Sequence, residues 1–195
     1  MKPFKISLVA VTLFGFMGSA FAQAKVPKDL AAALVREIVQ EYDQLYSDSP
    51  VMLDQLAAVK KHEADPEYFF QAEAIDLNKD GKTEFLIMMA DVDEGLCTAH
   101  NCPVWAYSQN GNKYKLLLKG YGHAAAYDSL RALKTSKNGY ADLQTYEHSS
   151  AVEMEVTTYR FNGKQYRPQK CFAEIYSGEG AKQKTKRKPH ACGSD

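Results

Sequence analysis

The sequence predicts a mainly β protein: an antiparallel β-meander, sandwich- or partial-propeller-like, behind one or two N-terminal helices. Two observations predict it. Four turn signals, Asp80-Gly81, Asn110-Gly111, Asn138-Gly139 and Asn162-Gly163, each lie between runs of β-branched or aromatic residues, and Asn-Gly or Asp-Gly in that setting is the strongest short hairpin signal. The hydrophobic period also changes near Tyr68, from helical spacing before it to strand spacing after it.

Residues 1–22 read as an export signal. Lys2 and Lys5 give a positive start, Ile6 to Phe16 form an apolar run too short to span a membrane comfortably, and Ala20-Phe21-Ala22 offers a small-x-small cleavage site. Cleavage there leaves a slightly acidic chain with no membrane span, expected to be periplasmic or secreted. Its length suits a single domain, 23–177, followed by a basic tail, 178–195. All four cysteines lie in this part, which fits an oxidising compartment. Cys97 with Cys102 and Cys171 with Cys192 is the preferred pairing because each closes a local loop, and the second would tether the tail through Cys192. Zinc on Cys97, Cys102 and His100 is the less favoured reading of the first pair.

Asp29 to Tyr46 places Leu30, Leu34, Ile38, Val39, Tyr42 and Leu45 on one helical face, with Asp29 as the expected cap. A second, shorter helix is expected over Met52 to Lys61. The strand arms read Phe69–Asp76 with Glu84–Ala90, Val104–Ser108 with Tyr114–Lys119, Leu130–Lys134 with Tyr140–Tyr146, and Val152–Phe161 with Lys164–Gln169. A last strand is expected at Phe172–Tyr176. Phe85-Leu-Ile-Met-Met89 is apolar throughout, as expected of a central strand covered on both faces. Val152 to Tyr159 alternates, as expected of a strand with one wet face. Trp105 and the strand tyrosines are assigned to the core. The tail carries Lys182, Lys184, Lys186, Arg187 and Lys188. Without interleaved aromatics this is a solvated basic run and not a nucleic-acid surface.

One segment carries chemistry. In Asp76-Leu-Asn-Lys-Asp-Gly-Lys-Thr-Glu84, oxygen side chains stand at positions one, three, five and nine, and Gly81 permits the sharp turn that lets them converge. Such a set suits calcium better than zinc or copper. The alternative is a hairpin turn closed by Asx hydrogen bonds without an ion. An EF-hand needs an acid at position twelve, and that position is Ile87. With strands on both sides, the segment resembles the Asp-x-Asp-x-Asp-Gly-x-x-Asp loops of FG-GAP and VCBS-type β-propeller repeats. That resemblance implies side-chain ligands from Asp76, Asn78, Asp80 and Glu84, a backbone carbonyl from Lys82, and a structural rather than catalytic calcium ion.

A wider pattern joins this hairpin to the Cys pair before Pro103-Val-Trp105, to Asn138-Gly-Tyr-Ala-Asp-Leu143, and to Tyr159-Arg-Phe-Asn-Gly-Lys-Gln-Tyr166 with a Cys shortly after. Together these resemble small bacterial periplasmic proteins similar to I-type lysozyme inhibitor and immunity-type β proteins, over roughly residues 68–171. The resemblance implies a non-catalytic partner of a cell-wall hydrolase. The chain departs from it at Ser177-Gly178, which Glu179, Gly180 and Ala181 follow where the inhibitors carry a tyrosine. The candidate partner surface is Tyr146, His148, Ser149 and Ser150, in a stretch expected to project between two hairpins. An envelope structural or adhesive module is the second reading. A hydrolase is the third, although no Gly-x-Ser-x-Gly elbow surrounds Ser149 or Ser150 and no metalloprotease spacing links the histidines.

Overall fold

The computed structural model describes residues 23–46, 54, 57, 60, 69–89, 97, 101–123, 129–178 and 184–193. The expected export signal, residues 1–22, lies outside them. So does most of the expected second helix; Asp54, Ala57 and Lys60 from that stretch are helical and exposed. Strand β1 (Gln23–Ala24) precedes helix α1 (Lys28–Tyr46). Strands β2 (Phe70–Ile75), β3 (Glu84–Met89), β4 (Asn101–Asn110) and β5 (Lys113–His123) follow. Then come β6 (Leu130–Lys137), β7 (Tyr140–Ser150), β8 (Glu153–Phe161), β9 (Tyr166–Ser177) and β10 (Lys184–His190).

The strands form two five-stranded antiparallel sheets in sequence order, β1 to β5 and β6 to β10. Short connections favour such neighbour-to-neighbour pairing. The sheets face one another, with β5 against β7 and β9 and β3 against β6, so the meander takes the sandwich form. All four expected glycines turn the chain at positive φ: Gly81, Gly111, Gly139 and Gly163. Between β6 and β7 both loop residues are left-handed, Asn138 at 52° and Gly139 at 83°. That is the type I′ geometry whose twist matches the strands it joins.

α1 covers the far side of the first sheet. Leu30, Ala31, Leu34, Val35, Ile38 and Tyr42 are buried with Phe69, Phe70, Phe85, Ile87, Met89, Trp105 and Tyr107. The helix begins earlier than the sequence implied. Ala31 N–H donates to the Pro27 carbonyl at 2.9 Å, so Asp29 sits inside the first turn, where its charge complements the helix dipole instead of capping it. Asp29 there accepts the Tyr114 hydroxyl at 3.4 Å, and Glu37 and Glu41 hold Lys119 of β5 at 3.0 and 2.6 Å.

β3 is the middle strand of its sheet and every residue in it is buried. Phe85, Ile87 and Met89 enter the helix-side core, while Leu86 and Met88 enter the core between the sheets with Leu77, Val104, Ala106, Leu143, Tyr159, Phe161 and Tyr166. A bulge helps fill that second core. The β4–β5 register shifts between Ala106 and Tyr107, which leaves Leu117 as an extra residue and lets both Leu117 and Leu118 turn inward. Gly122 makes the close approach to the second sheet possible, because a Cβ there would lie 2.8 Å from Ser129 Oγ.

Three expectations need correction. The predicted strands Lys164–Gln169 and Phe172–Tyr176 are one continuous strand, β9. The face of β8 opposite the core is not simply wet: Val156 on that face is fully buried, paired across strands with Tyr146 and Phe172. The basic run is also more than a tail tethered at Cys192. Lys184 to His190 pairs with β9 without a break, Cys192 is bonded to Cys171, and Arg187 pairs with buried Glu174 at 2.7 Å. All of β10 is exposed, so the lysines remain solvated as expected. Lysines and Pro189 on this edge strand oppose pairing with another chain.

Removing methylenes from the doubly covered strand leaves a cavity with no neighbour free to fill it. Ile87→Ala is expected to cost about 2–5 kcal/mol, read as a lower urea midpoint with an unchanged denaturant slope.

Candidate functional site

The loop between β2 and β3 is built from Asx hydrogen bonds. Asp76 accepts the Asp80 N–H through Oδ1 at 3.2 Å and the Gly81 N–H through Oδ2 at 2.9 Å. Asn78 Oδ1 accepts the Asp80 N–H at 2.9 Å, and Asp80 Oδ1 accepts the Lys82 N–H at 2.8 Å. Lys79 and Gly81 turn the backbone at φ of 61° and 81°. Each accepted N–H uses one lone pair of an oxygen that has two, so these bonds shape the turn and leave each oxygen a second lone pair. Among the described residues, no three or more His, Cys, Asp or Glu side chains gather into a metal-holding group. Asp76, Asp80 and Glu84 are therefore held as parts of a turn, not as a closed cage.

The ninth position is the unusual one. Glu84 is 2 % exposed and accepts the Leu77 N–H through Oε2 at 2.7 Å. Burial, with the neighbouring Asp80 and Asp76 charges, pushes its carboxyl above the usual range against the Leu77 bond and Lys82. Asp76 responds oppositely: partial desolvation is outweighed by backbone N–H groups, led by Gly81, which hold its carboxyl low. The loop thus concentrates negative charge around a buried carboxylate. Below it, Leu77 is 3 % exposed in the inter-sheet core. Its carbonyl accepts the Ala141 N–H of the other sheet at 2.8 Å, and the Ala141 carbonyl accepts the Tyr166 hydroxyl at 2.7 Å. The loop is consequently a joint between the two sheets.

The proposed partner-binding residues are not a projecting connection. Tyr146 to Ser150 form the end of β7, and only Ala151 and Val152 turn the chain into β8. The stretch was expected to project between two hairpins, whereas β7 and β8 pair directly along it. Tyr146 is half-buried, with Arg131 donating to its hydroxyl and lying 4.8 Å from its ring centroid. The His148 backbone is held on both sides by the Asn101 side chain, which accepts its N–H at 2.6 Å and donates to its carbonyl at 2.9 Å. Ser149 and Ser150 are exposed. Two strands further along the Tyr146 face lies Phe172, with Arg187 over its ring at 4.8 Å, and Tyr176 donates to Glu174 at 2.9 Å.

Sequence reading missed two polar linkages. Asp142, 1 % exposed, receives two bonds from Arg160, at 3.1 and 3.0 Å, and one from Thr135 at 2.8 Å. Arg160 above all holds its carboxyl below the usual range. An aspartate alternating with core residues in Tyr140 to Leu143 was the available signal. The Asn101–His148 clamp joins residues 47 apart and had none. Both disulfides match the preferred pairing, Cys97–Cys102 and Cys171–Cys192, and fit an oxidising compartment. Among the described residues, no helix is long and apolar enough to cross a membrane.

Comparison with protein-family models, with curated proteins and with solved structures returns no match.

Glu84 carries a pH signature of definite sign. Its folded-state pKa is raised, so its contribution to stability is fully present below the unfolded value, near pH 4.3, and is lost as pH rises through the folded value. Glu84→Gln keeps an acceptor for Leu77 and removes the charge. In chelator at pH 7 this variant is expected to melt above the wild type, with the gap closing as pH falls to about 4. A lower melting temperature at both pH values contradicts the assignment.

Proposed function

We propose that this chain is an exported, non-catalytic binding protein, clipped by calcium at its first hairpin, that inhibits or neutralises a peptidoglycan-cleaving hydrolase. The surface that carries this reading is the side of the second sheet bearing Arg131, Tyr146, Phe172 and Arg187. There two guanidinium groups lie over two aromatic rings at 4.8 Å each, and the Arg187 side chain is 64 % exposed. Tyrosine and arginine held in place by their neighbours present large contact area at low entropic cost, and these residue types dominate binding hot spots. The export signal, the two disulfides and the resemblance to periplasmic inhibitor-type β proteins support the compartment and the class of partner.

Calcium completes the reading at the opposite end of β7. Asp76, Asn78, Asp80 and Glu84 supply oxygen donors of the hard kind, with the Lys82 carbonyl as a fifth. Their net negative charge and the raised carboxyl of Glu84 are what a divalent cation would neutralise. Binding requires the remaining lone pairs of these oxygens to converge on a common centre. The ion then acts as a clip on the joint between the sheets and takes no part in chemistry.

Titration of the purified mature protein into a lysozyme or amidase assay tests the whole reading. Stoichiometric suppression is expected, and Arg187→Ala together with Tyr146→Ala should weaken it at least tenfold. Chelator should lower the melting temperature of the wild type and leave Asp80→Ala unaffected. Retention on peptidoglycan without suppression supports the envelope-module reading instead. Turnover of cell-wall fragments by the protein itself contradicts both.

A further inference from the structure

We propose that His123 and His148 form a cross-sheet bis-imidazole site for a nitrogen-preferring divalent transition-metal ion of the zinc and nickel class. His123 ends β5 in the first sheet, and His148 lies near the end of β7 in the second. Their ring centroids are 5.5 Å apart with the planes at 80°. Two imidazoles on one tetrahedral ion, with metal–nitrogen bonds of about 2.0–2.1 Å, keep their centroids roughly 5 Å apart. The observed separation is thus already close to that of a shared ion.

What makes the pair a site rather than a chance contact is how the two backbones are fixed. Asn101 of β4 is the register partner of His123. The same Asn101 side chain grips the His148 backbone on both its N–H and its carbonyl, at 2.6 and 2.9 Å. One residue therefore sets the position of both histidines across the sheet-to-sheet gap. The β7–β8 register shifts between His148 and Ser150, and a bulge of that kind re-aims side chains beside functional positions. Both histidines are half-buried, so an ion can reach them. Placement on strands gives the fixed geometry that loops lack.

The chemistry selects the ion. Imidazole nitrogen suits zinc, nickel and copper, whereas calcium and magnesium take oxygen. Two protein ligands leave the remaining positions to water or to a donor from another molecule, which makes this an open site. The site lies roughly 24 Å along β7 from Ala141, beneath the acidic loop, at about 3.4 Å per residue. The two sites can therefore be tested separately, and this one stands whether or not the loop takes calcium.

The test is thermal melting of the mature protein with zinc chloride, nickel chloride or calcium chloride. Zinc and nickel are expected to raise the melting temperature by roughly 5 °C or more once the ion is about a hundredfold above its dissociation constant. His123→Ala and His148→Ala should each abolish the rise, while Asp80→Ala and His190→Ala keep it. The Asn101 clamp uses only the His148 backbone, so His148→Ala leaves it in place. A second measurement needs no variant: nickel should broaden the ring resonances of His123 and His148 before those of His190, which Glu155 holds at 2.8 Å. No melting response, a response kept in His148→Ala, or equal broadening of His190 overturns the proposal.

Discussion

The backbone of Leu77 is where the two halves of this protein are joined. Its carbonyl accepts the Ala141 N–H from the second sheet, its N–H donates to Glu84 of the first, and its side chain lies in the core between them. Ala141 passes the connection on, since its carbonyl accepts the Tyr166 hydroxyl from β9. A loop residue thus does what strands do elsewhere in the fold. It carries hydrogen bonds from β3 through β7 to β9, at the end of the sandwich where Tyr140, Phe161 and Tyr166 pack ring against ring.

That joint sets burial and hydrogen bonding against the cost of a buried carboxylate, which gives the acidic loop its meaning. Burying Leu77 contributes about 1.5–3 kcal/mol, and a hydrogen bond to a carboxylate adds about 1.5–3 kcal/mol. Taking a carboxylate out of water costs several kcal/mol unless a counter-charge is present, and the nearest acids, Asp76 and Asp80, add repulsion. Protonation of Glu84 relieves the cost at low pH, and the proposed calcium ion would relieve it near neutrality. Asp142 in the second sheet provides the contrast: equally buried, it has Arg160 as its counter-charge and is held low. Two buried carboxylates thus differ in proton affinity because Asp142 is hydrogen-bonded to a guanidinium, whereas Glu84 has Lys82 only as a nearby charge.

The sequence made local structure legible and left long-range pairing hidden. The four turns at Gly81, Gly111, Gly139 and Gly163 were readable because Asn-Gly or Asp-Gly encodes each within two residues, and β3 was readable because Phe85 to Met89 has no polar face to expose. The helix face was readable from its spacing at Leu30, Leu34, Ile38, Val39 and Tyr42, but not at Ala31 or Val35, nor was the position of Asp29; the side chain of Leu45 lies outside the described residues. β10 was not readable, because Lys184 to Lys188 has no hydrophobic period. What orders it comes from other strands, through Cys171, Glu174 and Glu155. Ligand spacing identified Asp76 to Glu84 as the chemical centre of the loop, but nothing in that spacing marks Leu77 as the residue that ties it to the second sheet. The placement of Tyr146 to Ser150 was hidden for a related reason: the stretch looks like a polar connection until β8 is laid beside it.

The central claim is that the acidic loop governs the joint between the sheets, and hydrogen exchange at the Ala141 amide tests it most directly. This N–H has its partner in the Leu77 carbonyl, so its protection reports the opening of the joint itself. With calcium added, exchange at Ala141 is predicted to slow at least tenfold in the wild type and to stay unchanged in Asp80→Ala. Exchange at Ala141 that is indifferent to calcium in the wild type would contradict the account.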